Sequence, residues 1–106
     1  MILLCPRHGS QDSAAVSNNF YELINKGEQA NVQEVIFYFK EIIGIVYWKC
    51  SNEVWGWLKD EITEEYFDEH YNGFISYPKV ICQKCLNEYL CKHKIMPEII
   101  KVNVLD

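Results

Sequence analysis

Two short pairs of metal-ligating side chains limit what this chain can fold into more than any other feature. One end carries Cys5-Pro6-Arg7-His8-Gly9, and the other carries Cys82-Gln83-Lys84-Cys85. In each pair two residues separate the donors, a spacing that lets one tight turn present both to a single ion. Pro6 pre-sets its turn, and Gly9 lets the backbone curl back after the second donor. A tetrahedral zinc ion takes four Cys or His ligands, and together the pairs supply Cys3His. Residues 9–81 lie between them. Loop closure costs only logarithmically more for a long loop than for a short one. A structural ion worth roughly 10 kcal/mol could therefore clamp head and tail together.

Cys91 and His93 are alternate ligands, since Cys82, Cys85, Cys91 and His93 could close a site without the N-terminal pair. A helix through 86–93 would put Cys91 and His93 on different faces, which favours the split set Cys5, His8, Cys82 and Cys85. Cys50 sits in a hydrophobic run and reads as core. Five cysteines with no leader-like segment at the N-terminus point to reduced thiols, so an intracellular, cytoplasmic setting is expected. No apolar run is long enough to span a bilayer, so no membrane partner is expected.

The string Cys5-Pro6-Arg7-His8-Gly9 resembles the zinc knuckle of treble-clef and zinc-ribbon proteins. Cys82–Cys85, followed at helical spacing by Leu86, Tyr89 and Leu90, is similar to the ligand pair that opens a treble clef's helix. The resemblance covers only these segments. It implies a structural zinc, with the middle of the chain either inserted into a zinc module or stapled by it.

Catalysis is not expected. A catalytic zinc needs an open position and a carboxylate to move protons, and no His-Glu-x-x-His run is present. The Cys5–His8 and Cys91–His93 pairs lack any recognisable oxyanion hole, and no phosphate-cradling glycine loop or nucleophile elbow occurs.

The 106 residues suit one domain, residues 1–106, with the ligand segments 5–8 and 82–85 flanking a helical middle. Asp12 as N-cap, Gly27 as C-cap and the spacing of Val16, Phe20, Leu23 and Ile24 predict a helix over about 13–26. Asn31 with Glu34, an apolar stripe from Val32 to Ile43, and Gly44 predict a second helix, completing a helical hairpin. Residues 45–50 read as a strand. A helix is expected over about 53–71, with a break near Thr63. Residues 74–82 read as extended, 86–94 as a short helix stopped by Pro97, and 98–105 as a final strand. The expected fold class is α+β, mostly helical, with two or three short strands and a zinc-stapled terminal region.

The net charge of −5 disfavours a general affinity for phosphate backbones. The stretch holding Glu61, Glu64, Glu65 and Asp68 is acidic, and Trp55 and Trp57 stand just before it. Carboxylates beside aromatics suit a protein partner with a basic surface, as for a regulator or inhibitor. The alternative partner is nucleic acid, met by Lys79, Lys84, Lys92 and Lys94 in residues 79–94.

Overall fold

The computed structural model describes residues 2–40, 42–74 and 79–105. The order is β1 (Ile2–Cys5), β2 (Gly9–Val16), α1 (Asn18–Lys26), β3 (Val32–Phe39), β4 (Ile42–Cys50), β5 (Glu61–Thr63), α2 (Glu64–Phe74), β6 (Lys79–Cys82), α3 (Gln83–Lys92) and β7 (Glu98–Leu105). A mixed sheet is the frame. Across it the strands run β6, β2, β4, β3, β7, β5, while β1 forms a hairpin with the first half of β2. The pairs β2–β4, β3–β7 and β5–β7 are parallel, and β3–β4 and β2–β6 are antiparallel.

The mostly helical expectation is wrong, and so is the helical hairpin. Residues 32–39 and 42–50, read in part as a helix, form the β3–β4 pair at the centre of the sheet. Val32, Val35, Ile36 and Phe39 fit a helical stripe. They also fit a strand buried on both faces, where apolar residues need not alternate with polar ones. Their β-branched and aromatic character then favours the strand. Gly44, expected to cap a helix, lies within β4, where a Cβ would overlap the Phe39 ring.

Over 13–26 only the second half is helical. Ser17, not Asp12, caps α1, its hydroxyl accepting from the Phe20 N–H at 3.2 Å, and Gly27 closes the helix in the left-handed region at φ 70°. Residues 9–16 join the sheet instead. The helix expected over 53–71 begins only at Glu64, and residues 53–60 lie outside any helix or strand. Thr63, placed near the expected break, accepts the Tyr66 N–H at 3.1 Å through its hydroxyl. The final strand is β7, between β3 and β5.

Successive residues of a strand point to opposite faces, so the sheet carries a core on each side. On one face Ala14, Val16, Trp48 and Cys50 pack against Phe20 of α1 and Leu86 and Tyr89 of α3. On the other, Val35, Phe37, Val102 and Val104 pack against Phe67 of α2 and against Trp57. The α1/α3 face carries the site.

Candidate metal centre

Three local features bring the two ligand pairs together. Cys5 ends β1 opposite Gly9, whose φ of 73° turns the chain so that His8 is carried back towards Cys5. Cys82 ends β6 and is the N-cap residue of α3 with no side-chain capping bond, which leaves its thiol available. Cys85 follows in the first turn of α3. The long-range link is sheet pairing: β6 runs antiparallel to β2 with Cys82 opposite Ser13, beside the strand that leaves the Cys5–His8 turn.

The ligand atoms of Cys5, His8, Cys82 and Cys85 all lie within 4.8 Å of one another. Cys5 Sγ is 3.6 Å from both His8 Nδ1 and Cys85 Sγ, and His8 Nδ1 is 3.6 Å from Cys82 Sγ and 3.5 Å from Cys85 Sγ. Around a zinc ion with ordinary bond lengths, tetrahedral edges measure about 3.6 Å between sulfur and nitrogen and about 3.8 Å between sulfurs. The cluster has the size of a coordination shell. All five cysteines are free thiols, and the Cys5–Cys85 separation is far longer than a disulfide bond.

Behind the cluster, His8 Nε2 lies 2.8 Å from Glu88 Oε1, and Arg7 is 3.0 Å from the other carboxylate oxygen. With Nε2–H donated to Glu88, Nδ1 keeps its lone pair for an ion. This carboxylate–histidine pairing fixes tautomer and ring orientation in metal sites generally. The sequence reading missed Glu88. Its signal was the spacing from Cys85, three residues along the same helix and hence on the same side.

Backbone N–H groups of Arg7 and His8, with smaller help from the His8 and Cys85 side chains, bring the Cys5 thiol down to about 6. Burial, reinforced by Cys5 and Cys82 close by, pushes Cys85 up to about 12. Glu88 foremost, then Cys5, raises His8. Three sulfurs at this spacing do not ionise together without a cation among them, and a divalent ion removes that conflict.

The other expected residues are dispersed. Cys91 is exposed, and His93 follows α3 with its ring 4.7 Å from Tyr89; neither belongs to the cluster. Cys50 lies in the core, its thiol pushed up to about 11 by burial and then by Glu53. Trp57 is buried, stacked against Phe37 with ring centroids 6.0 Å apart and against Trp55 at 5.7 Å. Trp55 is half-buried, while Glu61, Glu64, Glu65 and Asp68 are exposed on β5 and α2. Lys79, Lys84, Lys92 and Lys94 are exposed as well, on β6, on α3 and just beyond it.

Fold and site together define an α+β domain with a Cys3His cluster able to hold a metal ion. No protein-family model, curated protein or solved structure matches this chain. Among the described residues, no helix is long and apolar enough to cross a membrane.

Proposed function

We propose that this protein is a zinc-stabilised binding domain, in which Cys5, His8, Cys82 and Cys85 hold a structural zinc ion. The observation that carries this reading is the set of 3.5–3.6 Å separations among four ligand atoms drawn from opposite ends of the chain. Three sulfurs and a nitrogen fill a tetrahedron and leave no position for substrate. The nearby carboxylate, Glu88, is engaged by His8 and Arg7 and is not available for proton transfer. A turn supplying one ligand pair and a helix start supplying the other is also the arrangement implied by the zinc-knuckle and treble-clef resemblance. Thiolate ligands last in a reducing compartment, which supports a cytoplasmic setting.

The working surface on this reading is the outer side of α2. Its inner side is anchored by Phe67, whose ring meets Phe37 at 4.9 Å, while Glu64, Glu65 and Asp68 face solvent. A fixed row of carboxylates suits a basic protein surface. A regulator or inhibitor acts by occupying such a surface.

Elemental analysis of protein purified without added metal tests the first part: about one zinc per chain is expected, lost in Cys5→Ser. Cross-linking in extracts of the source cells tests the second. Partners captured by the parent should disappear with the triple variant Glu64→Lys, Glu65→Lys, Asp68→Lys, and unchanged capture rejects the acidic face. Binding to DNA or RNA that weakens steeply with salt and survives the triple variant would instead favour the Lys79–Lys94 surface.

A further inference from the structure

Beside the metal cluster, α1 and α3 stand apart over the β1–β2 turn and β6, leaving a cleft of about 720 Å³. That volume lies in the range of small-molecule sites. Its walls have two characters. Leu4, Ile24 and Val80 line it with apolar surface, and Leu4 and Val80 are exposed there although both are large hydrophobic residues. Lys92 and His93, at the end of α3, supply polar groups. Glu88 is the single acid lining the cleft among the described residues, and Arg7 and His8 already engage it. No carboxylate among the described residues pairs with Lys92, so that end of the cleft carries an unpaired ammonium.

His93 stands at the same end, its ring 4.7 Å from Tyr89 and its Nε2 sealed from solvent without a hydrogen-bond partner among the described residues. The group that an occupant can reach at this end is the exposed Lys92 ammonium.

We propose that this cleft binds a small amphipathic anion, a molecule with an acidic group on an apolar body. The acidic group lies at the Lys92 end, and the apolar body lies along Leu4, Ile24 and Val80. Cys5, Cys82 and Cys85 also line the cleft, so an occupant rests against the metal centre's own walls. This site goes beyond the acidic-face reading and does not depend on it.

The test uses the metal-loaded full chain and two probes of like shape, anilinonaphthalene sulfonate and its uncharged parent phenylnaphthylamine, titrated by calorimetry. The sulfonate is expected to bind one per chain and tighter than the parent. Lys92→Glu should weaken the sulfonate by about tenfold, the scale of a lost charge-assisted contact, while leaving the parent unchanged. Asn25→Trp, at an exposed cleft-lining position, should weaken both probes. Lys101→Glu, exposed on β7 outside the cleft, should change neither and controls for net charge. Metal content and melting temperature of each variant check that the fold is kept. Equal affinity for the two probes, no saturable binding of either, or indifference to both Lys92→Glu and Asn25→Trp overturns the proposal.

Discussion

The two faces of the sheet are held together by different physics. On the α2 face, cohesion is aromatic: Phe37, Trp57, Phe67 and Trp55 pack ring on ring, and Val35, Val102 and Val104 close the gaps from the strands. On the α1/α3 face, Phe20, Trp48, Leu86 and Tyr89 join Ala14, Val16 and Val32 in a core of mixed aromatic and aliphatic side chains, and the elements around its rim come from both ends of the chain. There β1, β6 and the start of α3 meet at the Cys3His cluster. One face is a core that burial alone can stabilise. The other gathers short strands of four residues each, which have little apolar surface of their own to hold them. A short edge strand needs a staple more than a central one does.

Chelation should separate the faces most sharply. Structural zinc contributes on the order of 10 kcal/mol in small modules, as much as a whole domain's net stability. After metal removal, hydrogen exchange is expected to open the amides of β1, β6 and α3 while β3 and β7 stay protected. Simultaneous loss everywhere would show that the two cores are one cooperative unit. Acid should act in the same direction, because Cys85 keeps its proton to about 12 and an ion must displace it. Binding therefore releases protons, and affinity should drop by at least about tenfold for each pH unit below neutrality. A pH-independent affinity would argue against thiolate ligation.

Next in size comes a cavity on the opposite face. Phe37→Ala removes a fully buried ring and should cost about 3–5 kcal/mol in urea unfolding, with metal content unchanged. Loss of metal in that variant would break the proposed independence. Smaller again is Glu88→Gln, expected to lower metal affinity about 10- to 100-fold in competition with a chromophoric chelator, by loosening the hold on the His8 ring. An unchanged affinity would reduce Glu88 to a surface ion-pair partner. Cys91→Ser, exposed and outside the cluster, should leave both metal content and stability as they are.

The sequence was most readable where a few adjacent residues decide the outcome. Gly27 ends α1 because a left-handed residue is needed there, and glycine alone adopts it freely. Cys5 and His8, or Cys82 and Cys85, are close because two-residue spacers make them so. The sequence was least readable in residues 31–44, where the apolar spacing satisfied a helix and a doubly buried strand alike. What decides that case is the presence of β4 on one side of β3 and β7 on the other; β4 is the next element in the chain, but β7 comes from the far end. Trp55 and Trp57 show the same limit. On a helix they would point apart, whereas in the observed segment they stack.

From the sequence alone came the donors, their spacing and the expectation that head and tail share an ion. Local stereochemistry suffices for each pair, since a turn's geometry is set by its own residues, whereas the meeting of the two pairs rests on β6 lying beside β2. Only the tertiary structure decided that a sheet, rather than a mostly helical domain with a helical hairpin, carries those donors, that Cys91 and His93 stand aside, and that Glu88 backs His8. Each of these depends on which strands pair across long separations, and pairing energy belongs to no single stretch of chain.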